Sequence, residues 1–336
     1  MGTVFRYGEN GLVARITKEF KTHNPSTVKG IGNDASVINN IDRLTLVSTD
    51  MLLEGIHFNL TYFPLKHLGY KCVVRAISDI FAMNGTPNQL LVGIGASSRF
   101  QAEAIEDIYA GIKLGCEKYG IDLVGGDTTG SLTGLTITVT AVGSVENELL
   151  VTRDGAETND LICVTGDLGG AYMGLQILER EKEIFEKNSG IQPDLSGADY
   201  VIGRQLKPEI PVDILGKLKD EEILPTAMID LTNGLATDIM QLCGASGVGC
   251  KLFPERIPID TETSRFAEDF HIEPLIPALN GGDDFEMLFT APLTMHEKIS
   301  RIKGVSIIGH ITEKEEGLRI VGDDGTSVEL NAPGWQ

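Results

Sequence analysis

The chain is poor in the residues that announce several large functional classes. Phe, Trp and Tyr together make up 6% of 336 residues, with a single tryptophan, so a core must rest on Leu, Ile, Val, Ala and Met. No run of about 18 apolar residues occurs, which leaves no candidate for a membrane-spanning helix. The N-terminal stretch carries Arg6, Glu9, Arg15, Lys18 and Glu19 and lacks the apolar centre of a signal peptide. Cysteine is scarce and unpaired in pattern: Cys72, Cys116, Cys163, Cys243 and Cys250 contain no CxxC spacing, and their number is odd. That usage speaks against a disulfide framework or a zinc site and for a reducing cytoplasm. Basic residues are outnumbered, 28 Lys and Arg against 48 Asp and Glu, for a formal charge of −20. A surface so acidic excludes a broad nucleic-acid or anionic-membrane interface as a partner. The common phosphate-site signatures, GxxxxGK[ST], GxGxxG and the HRD and DFG pair, are absent as well.

What is present is glycine, 39 residues of it, much of it beside Asp and Thr, together with 42% hydrophobic residues, enough for a sizeable core. The periodicity predicts an amphipathic helix over 7–24 and a strand over 44–48 that ends at Thr49 and Asp50. It predicts a helix from Pro64 to about Gly85, a strand over 89–96, and a helix from Ala102 to Tyr119 stopped by Gly120. Residues 121–124 should enter a tight turn at Gly125-Gly126, and 135–143 alternates as a half-buried strand. Beyond Val151 the pattern gives a strand at 160–165 and a helix from GDLGGAYMG to about 187. The charged run REKEIFEKNSG reads as exposed and loop-like. Helices are expected at 208–218, 235–243 and 263–269, strands at 227–230, 284–290 and 305–311, and a hairpin turn at Asp323-Gly325. Intermixed strands and helices in both halves give an α/β or α+β class, with domains expected at 1–150 and 151–336.

The richest signal is the repeated placement of Asp beside Gly, Ser, Thr or Asn at the ends of apolar segments. The cases are Gly32-Asn33-Asp34, Ser48-Thr49-Asp50, Ser78-Asp79, Gly125 to Thr129, Asp230 to Gly234, and Gly281 to Asp284. Magnesium takes hard oxygen ligands and commonly binds through a few carboxylates plus phosphate. Glycine lets backbone N–H groups approach a phosphate, and Ser and Thr add donors. One such turn is an ordinary helix cap or turn former; six in one chain point to magnesium and phosphate chemistry.

These segments identify a resemblance. GIGND at 30–34, STDMLLEGIHF at 48–58, SDIFAMNGTP at 78–87, GGDTT at 125–129, VTRDG at 151–155, DLTNGL at 230–235, NGGDDFEMLF at 280–289 and a terminal GW resemble the thiamine-monophosphate kinase family over nearly the whole chain. That family is grouped with aminoimidazole-ribonucleotide synthetase and selenophosphate synthetase. The resemblance implies a two-domain aminoimidazole-ribonucleotide synthetase-like fold, with an N-terminal mixed sheet and helices and a C-terminal α/β domain. It implies a homodimer built mainly through the N-terminal domains. It also implies transfer of the ATP γ-phosphate to thiamine monophosphate, with several Mg2+ ions. By position, Asp34, Asp50, Asp79, Asp127 and Asp230 are the implied magnesium carboxylates, with Ser48, Thr49 and Asn233 beside them. Gly126, Asp127, Arg153 and Thr232 are implied at ATP, and His57, Asp283 and Trp335 at the acceptor. No general base is implied, because the acceptor phosphate supplies its own nucleophilic oxygen.

The chain departs from the family at several of these points. Asn33 stands in GND where GDD is usual, Asn233 in DLTNG where DISDG is usual, Asp283 in GGDD where GGED is usual, and Asp154 in RDG where RSG is usual. Arg75 replaces an Asn three residues before Ser78. Each Asn removes a negative ligand, Asp283 shortens a carboxylate arm by one methylene, and Arg75 adds a charge that can offset a lost one. Two other readings follow. A nucleotide-binding sensor without turnover is motivated by Asn33, Asn233 and Asp283. A related ATP-dependent synthetase is the other, although a selenium enzyme would need a reactive cysteine before Cys72.

Overall fold

The computed structural model describes residues 16–29, 37–188, 190 and 192–332. The chain divides into two compact units, Met1–Leu150 and Val151–Gln336. Of the expected opening helix, only its last part falls among the described residues.

In the first unit a short antiparallel pair, β1 (Thr27–Lys29) and β2 (Val37–Ile38), precedes a four-stranded sheet. The sheet is built from β3 (Leu44–Leu53), β4 (Thr86–Ala96), β5 (Asp122–Gly130) and β6 (Thr136–Val145) in the order β3-β6-β4-β5. β6 is antiparallel to β3 and β4, and β5 runs parallel to β4. Two helices, α1 (Leu65–Ala82) and α2 (Ala102–Tyr119), supply the apolar cover. Leu46, Leu52, Leu90, Val92, Ile94, Ile137 and Val139 are buried on the strands, and Leu68, Val73, Ile77, Ile105, Ile108 and Ile112 on the helices. The helices cross at a pair of glycines. A Cβ on Gly69 would lie 1.9 Å from the Ile108 carbonyl oxygen, and one on Gly111 would lie 1.9 Å from that of Lys66. Only glycine permits this approach. Gly120, at φ 66°, ends α2 as expected.

Two expectations fail here for the same reason. β3 does not end at Asp50; it pairs without interruption from Leu44↔Val145 to Leu53↔Thr136, so Ser48-Thr49-Asp50 is mid-strand. Gly125-Gly126 is not a turn either. Both residues continue β5 beside β4, with a register shift at Leu90/Leu91. Long-range pairing overrides the local turn propensity of Asp and Gly.

The second unit contains a seven-stranded sheet ordered β13-β12-β9-β11-β7-β10-β8. Its strands are β7 (Leu161–Thr165), β8 (Ala227–Asp230), β9 (Gly249–Leu252), β10 (Met287–Ala291), β11 (Val305–Thr312), β12 (Leu318–Val321) and β13 (Ser327–Glu329). The last two form the hairpin expected around Asp323-Gly325. Its helices are α3 (Gly170–Lys187), α4 (Asp199–Leu206), α5 (Val212–Asp220), α6 (Leu235–Ser246), α7 (Thr261–Asp269), α8 (Leu275–Asn280) and α9 (His296–Ile299). The charged run from Arg180 is mostly helix, not loop: α3 extends to Lys187 and exposes one charged face while Ile177, Leu178 and Glu181 stay buried. The helix expected at 208–218 starts later, at Val212, because Pro208 and Pro211 cannot donate in a helix interior. α4 and β9 were not expected; both are short, and their patterns carry little periodicity. All five cysteines are buried free thiols.

A buried ionic cluster ties the strand-to-helix loop before α3 to the segment entering β10. Arg204 of α4 donates to Glu286 Oε1 at 2.9 Å, to the Asp167 carbonyl at 2.9 Å and to the Asp284 carbonyl at 3.2 Å. Its guanidinium lies 3.7 Å from Asp284 Oδ1. Asp284 accepts from Gly169 N at 2.8 Å and Ala171 N at 3.4 Å, so it caps α3, whose own cap residue Gly169 has no side chain. Glu286 Oε2 accepts from the Thr165 hydroxyl at 2.6 Å. Tyr200 donates to the Asp167 carboxylate. Burial pushes the Asp284 carboxyl up to about 7 against the pull of Arg204 and the two N–H donors. Burial raises Glu286 as well.

The sign of the pH effect follows. Between the usual carboxylate range and about 7, folded Asp284 holds a proton that the unfolded chain has released. Its contribution to stability is therefore present at low pH and lost as pH rises through about 7. In urea unfolding, the stability of Asp284→Asn relative to the unsubstituted protein should improve as pH rises across that window, by at most roughly 1.4 kcal/mol per pH unit. Parallel pH profiles for the two proteins would contradict a shifted Asp284.

Candidate active site

Strand alternation sorts the first acidic segment. Side chains at i and i+2 share a face, so Ser48 and Asp50 point one way and Thr49 the other. Ser48 Oγ donates to the Ala76 carbonyl of α1 at 3.0 Å, and Asp50 Oδ1 accepts from Arg75 Nε, also of α1, at 3.0 Å. Asp79 is half-buried one helical turn beyond Arg75 and so shares its side of α1. Thr49 lies on the open face, with its hydroxyl 3.0 Å from that of Thr140. The structure therefore brings Ser48, Asp50 and Asp79 to the helix side of the sheet and leaves Thr49 apart from them. Arg75, the residue that departs from the family pattern, is in contact with a carboxylate expected to hold metal.

Asp127 stands elsewhere in this unit. The register runs Asp50–Val139–Val92–Gly126 across the sheet, which places β5 three strand spacings, about 14 Å, from Asp50. Asp127 is exposed and accepts from Thr128 N at 2.8 Å. Beside it, a Cβ on Gly126 would lie 1.9 Å from the Val92 carbonyl oxygen, so this stretch of strand must present bare backbone. Tyr109 of α2 is buried and hydrogen-bonded to Thr128, and burial pushes its phenol up to about 12. Among the described residues, no three of His, Cys, Asp and Glu gather as a metal cage. Asp34 and Trp335 lie outside the described residues.

His57 belongs to the turn that closes β3. Its N–H donates to the Leu53 carbonyl at 2.9 Å, and its Nδ1 accepts from Leu53 N at 3.1 Å. With Nδ1 as acceptor, the neutral ring carries its proton on Nε2, which makes that edge a donor. Glu54, in the same turn, accepts from Leu135 N at 2.8 Å and pairs with Arg99.

The second unit brings two acidic segments side by side. Asp230 ends β8 opposite Met287. The ladder then continues through Leu231 N to the Glu286 carbonyl at 2.8 Å, Phe285 N to the Leu231 carbonyl at 3.0 Å, and Asp283 N to the Thr232 carbonyl at 3.1 Å. Asp283 and Phe285 are held at φ 57° and 55°, in the left-handed region. The turn between Thr232 and Gly234 is fastened by Asp238, fully buried in the first turn of α6. Its carboxylate accepts from Thr232 N at 3.1 Å, from Asn233 N at 3.0 Å and from Asn233 Nδ2 at 3.0 Å. Burial raises the Asp238 carboxyl. Asn233 thus turns its amide nitrogen inward and keeps one oxygen as its only possible metal donor. Arg153 is exposed with its guanidinium 3.4 Å from Gln241 Oε1 on α6, and Asp154 is taken up locally by the Thr152 hydroxyl.

Sequence reasoning missed Asp238, Arg204 and Glu286, and took Asp284 only as part of the Gly281 to Asp284 turn, with no role of its own. Signals existed for two of these four. Glu286 interrupts the apolar run FEMLF, and a charge buried in an apolar run requires a partner. Asp284 directly follows Asp283.

Residues 32–145 match the model of the AIR synthase related protein N-terminal domain. Thiamine-monophosphate kinase of Aquifex aeolicus is 32% identical over 98% of this chain and 97% of its own length. That of Escherichia coli K12 is also 32% identical, again over 98% and 97%. Among solved structures, thiamine-monophosphate kinase from Stenotrophomonas maltophilia superposes with a TM-score of 0.77 at 25% identity, covering 95% of this chain and 96% of that one. The structure of AaThiL complexed with AMPPCP and TMP gives 0.73 at 28% identity, with 98% and 97% covered. The hydrogenase maturation protein HypE of Escherichia coli, at 17% identity and 0.74 over 97% of both chains, shares the fold alone. The two mixed sheets are thus those of an aminoimidazole-ribonucleotide synthetase-like fold, and the chain belongs to the thiamine-monophosphate kinase family.

Proposed function

We propose that this chain transfers the γ-phosphate of ATP to thiamine monophosphate, giving thiamine diphosphate and ADP. The observation that carries the reading is end-to-end kinship with thiamine-monophosphate kinases, together with likeness to a family structure that holds an ATP analogue and TMP. In the transfer, an oxygen of the acceptor phosphate bonds to the γ-phosphorus as the bond to the β–γ bridging oxygen breaks. ADP leaves, and no side chain need act as base. Such a reaction depends on positioning and charge neutralisation.

Magnesium fits the donor types available. Asp34, Asp50, Asp79, Asp127 and Asp230 offer carboxylate oxygens, Ser48 and Thr49 hydroxyls, and Asn233 an amide oxygen, all hard donors. No three described acids gather, so substrate phosphate oxygens are needed to complete any coordination shell. When bound, the metal would neutralise phosphate charge that this acidic chain would otherwise repel. Arg75 supplies a fixed positive charge against Asp50. Arg153 offers a planar donor fork to an ATP phosphate, and Gly126 and Thr232 offer backbone beside it. On the acceptor side, His57 presents its Nε2–H donor, Asp283 its carboxylate and Trp335 an indole face for stacking. We assign ATP and magnesium binding and dimerisation to residues 1–150, and the completion of the nucleotide and acceptor sites to 151–336.

The homodimer reading rests on the sheet face opposite α1 and α2. There Val47 is 65% exposed and Met51 53%, on an edge strand beside the partly covered Thr136, Thr138 and Thr140. An apolar strip on an open sheet face fits a second copy of itself across a two-fold axis. Five buried thiols and a chain with no membrane-length apolar helix among its described residues fit a cytoplasmic enzyme.

Purified protein with magnesium and ATP should convert thiamine monophosphate to thiamine diphosphate and ADP, with little product from thiamine. Folded, ATP-binding protein that yields no thiamine diphosphate across a broad magnesium range would contradict the reading and favour a nucleotide sensor. Light scattering should give twice the chain mass, reduced to the single-chain mass by Val47→Glu with Met51→Glu. A dimer that survives both substitutions would remove this face as the interface.

A further inference from the structure

The kinase reading leaves unused the most heavily charged buried region among the described residues, the cluster around Arg204. Its members are spread over α4, the loop 166–170 and the segment 283–286, and none is among the site residues expected from the sequence. The Arg204 side chain is 16% exposed, Asp284 2% and Glu286 5%. A guanidinium so placed can act at a distance only through what it holds.

It holds Asp284, the residue next to Asp283, and the peptide that follows it. Arg204 Nη2 donates to the Asp284 carbonyl, and the guanidinium faces the Asp284 carboxylate, whose oxygens also take the N–H groups of Gly169 and Ala171. Asp284 is therefore fixed at both its backbone and its side chain. On the other side, the Asp283 N–H is fixed to the Thr232 carbonyl. Between these anchors Asp283 adopts φ 57°, a conformation that a non-glycine residue keeps only when its surroundings enforce it. Glu286, the other Arg204 carboxylate, has its main chain in the ladder to Leu231, one residue from Asp230. The guanidinium fork and its single charge thus set where the Asp283 carboxylate stands relative to Asp230 at the end of β8 and Thr232 just beyond it.

We propose that Arg204 is a positioning residue for the acceptor side of the reaction, acting through Asp284 on Asp283. The inference rests on the reading that Asp283 meets the acceptor. Lysine at 204 keeps the charge but loses the planar fork that reaches the Glu286 carboxylate and two carbonyls together. The loss should appear in acceptor recognition, not in ATP binding, because Arg153 and Gln241 make no contact with the cluster.

The test is steady-state kinetics of Arg204→Lys and Asp283→Ala, measured well below their unfolding midpoints, with KM for thiamine monophosphate, KM for ATP and kcat resolved separately. Both variants should raise KM for thiamine monophosphate by about tenfold or more while KM for ATP stays within about twofold, a split equivalent to roughly 1.4 kcal/mol on one substrate. Arg204→Met with Glu286→Gln, which removes one buried charge of each sign, replaces Arg204→Lys if the latter is not obtained folded. A purely structural Arg204 would lower the unfolding midpoint and the active fraction yet leave KM for thiamine monophosphate unchanged, which overturns the inference alone if Asp283→Ala still raises it. An unchanged KM in Asp283→Ala would overturn the acceptor assignment and this inference with it.

Discussion

One guanidinium against two buried carboxylates is the constraint on which the second unit depends. Arg204 cannot give up its proton, and Asp284 and Glu286 have almost no water to share. Removing Arg204 leaves two buried carboxylates without their cation, so the guanidinium is the member that the cluster cannot lose. Each carboxylate spends its other oxygen on backbone or hydroxyl donors, Asp284 on the start of α3 and Glu286 on Thr165. Gly166 shows how tightly this is drawn, since any Cβ there would lie 2.2 Å from Glu286 Oε1. The loop before α3 and the segment before β10 are consequently one piece of structure, and DLTNG is laced to the same piece through Leu231, Thr232 and Asp238.

The first unit solves a different problem. It must carry acids on a sheet without losing the apolar face that packs against α1 and α2. Strand alternation does this in β3, where Leu46 and Leu52 enter the core while Ser48 and Asp50, on the same face between them, reach Ala76 and Arg75 of α1. The close crossing of α1 on α2 at Gly69 and Gly111 draws the two helices together over the strands. Pairing half-buried Asp50 with Arg75 keeps its charge matched.

Much of this was legible in the sequence. The helix from Ala102 to Gly120 announced itself by period and by a left-handed glycine stop, and the strand at 305–311 by its apolar run. The acidic segments were visible as motifs, but their conformations were not. Asp, Gly and Thr at 48–50 and 125–129 read as turns because local propensity is all that a sequence shows, whereas pairing to β6 and β4 makes them strand. Whether neighbours in sequence share a site was equally hidden: Ser48 and Thr49 adjoin in the motif and face opposite ways. Arg204 was invisible because its role comes from contacts 80 and 82 residues away, which no local pattern encodes.

The measurement that bears most directly on this account is residue-resolved hydrogen exchange on the intact protein. If the Arg204 cluster makes one piece of the two loops and the ladder, the amides of Gly169, Leu231, Asp283 and Phe285 will exchange through a common opening with a single free energy. Separate openings, with Gly169 exchanging independently of Asp283 and Phe285, would contradict it.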